Sequence, residues 1–135
     1  EIDKLNNIRT FLTFQNGNAI PALDLYREIF EDFELLEVDY YGPDQHGPEG
    51  TIIQAQFQIA GTIFGCADSP ITHEWGFTPA ISIWIDCRTV TDLEHYFYAL
   101  SEEGEVLMPL DNYGFSSRFG WVKDPYNVTW QLSQP

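Results

Sequence analysis

The stretch Phe119-Gly-Trp-Val-Lys-Asp-Pro-Tyr-Asn-Val-Thr-Trp-Gln131 decides the fold. Its first arm is aromatic, its second arm Val128-Thr129-Trp130-Gln131 has strand character, and Asp124-Pro125-Tyr126-Asn127 lies between them. Asp and Pro pre-set a chain reversal, and Asn tolerates positive φ better than most non-glycine residues. The stretch therefore reads as a β-hairpin ending on a neutral amide, Gln131.

Working outward, strands at 105–110, 117–123 and 128–133 follow a helix whose stripe is Val90, Leu93, Phe97 and Leu100. Thr91-x-x-Glu94 has the form of a capping box, and Gly104 is placed to end the helix. Before it, Ile81, Ile83 and Ile85 alternate with Ser82, Trp84 and Asp86 as a strand. The first half repeats this order. A strand at 8–15 ends at Asn16-Gly17, and Asn18 is placed as an N-cap with Pro21 in the first helical turn. Ala19, Leu23, Tyr26 and Phe30 form that helix's stripe. Strands follow at 34–41, at 53–59 and at 62–67, the last ended by Asp68-Ser69-Pro70. In the middle one, Ile53, Ala55, Phe57 and Ile59 alternate with Gln54, Gln56 and Gln58. Leu23-Asp24-x-Tyr26-x-x-x-Phe30 matches Leu93-Glu94-x-Tyr96-x-x-x-Leu100, so the halves read as a duplicated βαβββ unit. The expected organisation is α+β: one domain over 1–135, with modules at 8–69 and 79–134 and a linker carrying His73 and Trp75.

Composition narrows the function. Six basic residues against 21 acidic ones give a net charge of −15 in 135 residues, a surface that repels a phosphate backbone and argues against nucleic-acid partners. Such charge keeps a protein dispersed, and it also favours cationic ligands. No apolar run approaches the ~20 residues of a membrane helix, and no secretory signal is visible, so a cytoplasmic protein without a membrane partner is expected. Cys66 and Cys87 lack CxxC spacing and read as reduced, apolar core residues. The sequon Asn127-Val128-Thr129 sits in the tight hairpin and reads as chance.

A duplicated βαβββ chain with this terminal hairpin resembles the vicinal-oxygen-chelate superfamily, the glyoxalase/bleomycin-resistance/dioxygenase group. Phe11-Leu-Thr-Phe with Gly17-Asn18, Ala22-Leu23-x-Leu25-Tyr26-x-x-x-Phe30, Gly47-Pro-Glu-Gly50, Asp68, and Gly120-Trp-Val-Lys-Asp124 through Trp130-Gln131 narrow the resemblance to its PhnB-like branch, labelled 3-demethylubiquinone-9 3-methyltransferase. That label is not read as an activity: no glycine-rich strand–turn–helix loop suited to S-adenosylmethionine is visible. The resemblance implies a curved mixed sheet around a central cleft, with helices outside. A homodimer is the expected assembly. On strand parity, the side of Ile53, Ala55, Phe57 and Ile59 and the side of Ile81, Ile83 and Ile85 are expected under the helices. The expected cleft lining includes Phe11, Gln54, Gln56, Phe64, Asp68, Trp84, Phe119, Trp121 and Gln131.

Metal-dependent members of the superfamily hold a divalent ion with His, Glu or Gln on inner strands. Here the corresponding positions fall near Phe11, Ala80 and Gln131, and the third strand reads Gln54-Ala55-Gln56, so no metal site of the usual kind and no cofactor are expected. A neutral amide is a weak ligand and no base at neutral pH. His46, His73 and His95 read as surface residues; an Asp68–His73 pair is the alternative, though two ligands make a weak site. No serine or cysteine has an evident base partner. Asp68 is the one carboxylate expected in the cleft, as a weak acid/base candidate or, alternatively, a turn cap with Ser69. The aromatics and amides suit metal-independent binding of a small amphipathic or cationic molecule, against the alternative that they only fill space. The second functional reading is an enzyme acting on a small oxygenated metabolite through an unconventional metal site or Asp68.

Overall fold

A computed structural model describes residues 4–135. The chain divides into two compact units, one running to Glu74 and one from Trp75 to Pro135. The first contains β1 (Thr10–Phe14), α1 (Ala19–Ile29), β2 (Glu34–Tyr40), β3 (Ile52–Ile59) and β4 (Thr62–Asp68). The second contains β5 (Ile83–Asp86), α2 (Val90–Ser101), β6 (Glu105–Asp111), β7 (Arg118–Lys123) and β8 (Thr129–Gln134). Their sheets run β1-β4-β3-β2 and β5-β8-β7-β6, each with one parallel pair (β1/β4, β5/β8) and antiparallel pairs elsewhere. This is the duplicated βαβββ, α+β arrangement that the sequence implied. Among the described residues, no helix is long and apolar enough to cross a membrane.

The decisive hairpin joins β7 to β8. Asn127 takes φ 76°, and its N–H donates to the Asp124 carbonyl at 3.0 Å. The buried Asp124 carboxylate holds the turn from inside. Oδ1 accepts the Tyr126 and Val128 N–H groups at 2.8 and 3.2 Å, and Oδ2 accepts the Trp130 indole N–H at 3.0 Å. Such charge-assisted bonds to an ionised carboxylate are among the stronger ones available to a turn. In the first unit, β3 turns into β4 through Ala60 and Gly61, both at positive φ (50° and 79°), as the tight primed turns of hairpins require.

In each sheet one face is buried. In the first unit, Tyr26 from α1 lies 6.3 Å from Phe57, which stacks on Phe64 at 5.2 Å. In the second, Leu93, Phe97 and Leu100 of α2 are buried, and Phe97 lies so close over Gly120 that a Cβ there would come within 2.6 Å of its ring. Gly104 is required for a similar reason: its Cβ would land on the Lys123 carbonyl oxygen.

Several sequence expectations are corrected. The α2 N-cap is Thr89, whose hydroxyl accepts the Asp92 N–H at 3.1 Å; Thr91 lies within the helix, and Val90 is exposed. Asn18 has αR geometry and makes no side-chain cap. Ile53 is exposed and Ile52 is buried instead, because the β2/β3 register skips Ile53 between the pairs Asp39–Gln54 and Tyr40–Ile52, a bulge that reverses parity. Ile81 precedes β5 and is exposed.

Candidate functional site

The faces of the two sheets away from their buried sides carry the polar and aromatic side chains. On the first sheet, Phe11 is 51% exposed and lies over its register partner Gly65, where a Cβ would come 2.7 Å from Phe11 Cδ1. Gln54, Gln56 and Gln58 share this open face. Gln54 Nε2 donates to Glu37 Oε1 and Asp39 Oδ2 at 3.0 and 2.7 Å, and Gln58 Nε2 donates to Glu34 Oε1 at 2.6 Å. These β2 carboxylates were missed by sequence parity. A register shift between Leu35 and Glu37 moves Glu37 and Asp39 onto the side that Glu34 already occupies.

On the second sheet, Trp84, Gln131, Trp121 and Met108 form one row of register partners across β5, β8, β7 and β6. Trp84 is 48% exposed, while Trp121 and Gln131 are half-buried. Both indole N–H groups are already used. Trp84 Nε1 donates to Asp86 Oδ1 at 2.9 Å and Trp121 Nε1 to Ser82 Oγ at 3.1 Å. Ser82 is held by the Thr129 hydroxyl at 2.7 Å, and Thr129 donates to the Ile81 carbonyl at 2.9 Å. Phe119 is on this face but buried, with Trp84 5.6 Å away and Tyr113 and Phe115 at 5.8 and 4.9 Å.

Thus Phe11, Gln54 and Gln56 share one open face, and Trp84, Phe119, Trp121 and Gln131 share the other. Phe64 and Asp68 do not join them. The two-residue turn places Ile59 opposite Thr62, which sets Phe57 opposite Phe64 and Ala55 opposite Cys66, on the helix-covered side. Phe64 is 5% exposed and stacked on Phe57.

Asp68 is 4% exposed, and both of its oxygens are engaged by backbone. Oδ1 accepts the Ala19 N–H at 2.9 Å and Oδ2 the Ile52 N–H at 2.8 Å. It therefore performs the N-terminal capping of α1 expected of Asn18, and it favours the positive end of the helix dipole. Neither the acid/base reading nor the Ser69 turn-cap reading describes this geometry. Ser69 Oγ instead meets His73 Nε2 at 2.8 Å, and the His73 N–H donates to Gln15 Oε1 at 2.6 Å.

Cys66 and Cys87 are buried and not disulfide-bonded. Burial, reinforced by the Asp68 charge, pushes the Cys66 thiol up to about 12. Burial, with Asp92 and Asp86 adding to it, pushes Cys87 up to about 11.

Two open-faced βαβββ units of this topology define the glyoxalase/bleomycin-resistance fold. More narrowly, residues 6–133 match the family model of 3-demethylubiquinone-9 3-methyltransferase, and the chain belongs to that PhnB-like family. A Bacillus cereus PhnB protein, described as a 3-demethylubiquinone-9 3-methyltransferase, is 39% identical with a TM-score of 0.91, covering 96% of this chain and all of that one (100%). An uncharacterised Mycobacterium bovis protein is 31% identical over 128 residues, 87% of this chain and 77% of its own length. A mutant of the Listeria monocytogenes fosfomycin resistance protein FosX, complexed with Mn(II) and 1S,2S-dihydroxypropylphosphonic acid, shares the fold at 15% identity and a TM-score of 0.66, covering 97% of this chain and 94% of that one.

The positions that the superfamily resemblance assigns to a divalent ion hold a poor donor set in this chain. The first-strand position is the hydrocarbon Phe11, Ala80 near the fifth strand has no donor, and the last strand offers only the Gln131 amide. Among the described residues, no group of three or more His, Cys, Asp or Glu side chains is placed to hold a metal. His46 and His95 are exposed on their own elements, and His73 engages Ser69.

Proposed function

We propose that this protein binds a small amphipathic or cationic molecule on the open face of the second sheet, without a divalent metal at the superfamily's usual positions. The observation that carries the reading is the row Trp84–Gln131–Trp121. Adjacent strands stand ~4.8 Å apart, so the backbone positions of Trp84 and Trp121 are separated by about 10 Å, with Gln131 on the strand between them. With their N–H groups engaged by Asp86 and Ser82, the rings offer apolar surface and π faces, and Gln131 offers one donor and one acceptor group. Flat walls with one orienting polar group suit a planar or amphipathic ligand.

Methyl transfer, which the family's description names, finds no support in this chain. Among the described residues, neither unit has a glycine-rich turn leading from a strand into a helix to cradle S-adenosylmethionine. Acid/base chemistry by Asp68 finds none either, because both oxygens are committed to backbone N–H groups. The proposal also takes the working form as a homodimer on the strength of the family likeness, which light scattering reads directly.

The test is intrinsic fluorescence titration against a panel of neutral and cationic aromatic compounds. Saturable quenching that weakens at least tenfold in Gln131→Ala supports the reading. Absence of quenching by every compound, or quenching indifferent to Gln131 and Trp84 substitution, overturns it.

A further inference from the structure

The connection between β6 and β7, residues 112–117, adds two rings to the second open face that the sequence reading did not assign. It is tied in place: the Tyr113 hydroxyl donates to the Pro109 carbonyl at 2.7 Å, and the Gly114 N–H donates to Asn112 Oδ1 at 2.8 Å, with Gly114 at φ 99°. Tyr113 and Phe115 lie with their planes 20° apart and centroids at 6.4 Å. Phe119 stands across both, at 90° to Tyr113 and 70° to Phe115. Trp84 approaches Phe119 from β5, so the four rings form one cluster. Its outer members are open to solvent, Phe115 being 61% exposed.

Two carboxylates belong to the same face. Asp86 is bound to the Trp84 indole N–H, and Asp111 is the register partner of Phe119 across β6 and β7. By strand alternation Arg118, the residue before Phe119 in β7, belongs to the opposite face.

We propose that Trp84, Tyr113, Phe115 and Phe119, rimmed by Asp86 and Asp111, form a binding site for an alkylated ammonium group. Ring faces attract a cation through their quadrupoles, by about two- to fivefold in affinity per exposed contact. Alkylation matters because a primary ammonium must replace the hydrogen bonds of three N–H groups on leaving water. The rings accept none, so a primary ammonium would depend wholly on the two rim carboxylates, each of which already holds one N–H, from Trp84 Nε1 or from Asn112. An alkylated cation leaves little hydrogen bonding behind and gains the apolar walls. The net charge of −15 raises its local concentration.

This inference rests on the small-molecule reading above, and one titration separates the two. Choline and its neutral isostere 3,3-dimethylbutan-1-ol are titrated by calorimetry and tryptophan fluorescence, alongside the aromatic panel. The expected result is choline binding at least fivefold tighter than the isostere, with that preference reduced about threefold or more in Phe115→Leu and in Asp86→Asn. Phe115 is exposed enough that its leucine variant should fold. Equal binding of cation and isostere overturns the ammonium claim and leaves the small-molecule reading standing. Panel binding at Gln131 with no choline response does the same. No binding by any compound overturns both.

Discussion

Replacing Asp68 with alanine should unfold the first unit more readily rather than silence a reaction. The carboxylate joins three elements: its own β4, the first turn of α1 through the Ala19 N–H, and the start of β3 through the Ile52 N–H. Each bond to a charged acceptor contributes ~1.5–3 kcal/mol, and each buried N–H left unsatisfied costs ~1–3 kcal/mol. These describe the same loss from two sides, and removing the buried charge returns some desolvation energy, so the net effect is about 3–5 kcal/mol. At roughly 3–4 °C per kcal/mol for a chain of this size, the melting temperature should fall about 10–20 °C. Asp68→Asn keeps one acceptor but turns an amide donor toward one of the two N–H groups, and should lose about 2–3 kcal/mol. Urea unfolding followed by circular dichroism and by tryptophan emission measures both variants. A melting temperature within 2 °C of the parent for Asp68→Ala would refute the capping argument.

Other outcomes follow from the same structure. Gly104→Ala drives a methyl into the Lys123 carbonyl and should destabilise by about 2–4 kcal/mol, whereas Gly76→Ala, with nothing within 4 Å, should stay within about 0.5 kcal/mol, both read by urea midpoint. Ala60 sits at φ 50°, so Ala60→Asn should stabilise by about 0.5–1 kcal/mol; an unchanged or lower melting temperature contradicts this. Both thiols have folded-state pKa values raised above the ordinary value of 9.0, so the folded protein holds protons that the unfolded chain releases. Stability is therefore unaffected by the thiols below about pH 9 and falls as pH rises toward 11–12. At pH 8 both cysteines should resist iodoacetamide in buffer and react in about 8 M urea, above the midpoint of a typical small domain; rapid native labelling would contradict their burial.

Much of this fold was legible because the signals were local. The Asp124–Asn127 turn, the helix stripes apart from Val90, and the Gln54–Gln56–Gln58 alternation each lie within a dozen residues, and the structure follows them. What was lost depends on pairing between segments. Nothing near Ile53 announces that Asp39–Tyr40 will skip it, and Asn18 looks like a cap until Asp68 meets the Ala19 N–H from 49 residues away. The parity of β4 is different, because Ala60-Gly61 is a two-residue turn that fixes Phe64 opposite Phe57. Strand parity taken without that turn puts Phe64 and Asp68 on the wrong face. Tyr113 and Phe115 lie in a loop whose path over the sheet is set by tertiary packing, so no periodicity marks them.

Native mass spectrometry of protein purified without chelators weighs metal and organic adducts on the same folded chain. Metal-independent binding on the Trp84–Gln131–Trp121 row requires an organic adduct, displaced by competing ligand and lost in Trp84→Ala and Gln131→Ala, with no stoichiometric divalent ion. A one-to-one metal adduct that disappears in Gln131→Ala would contradict it.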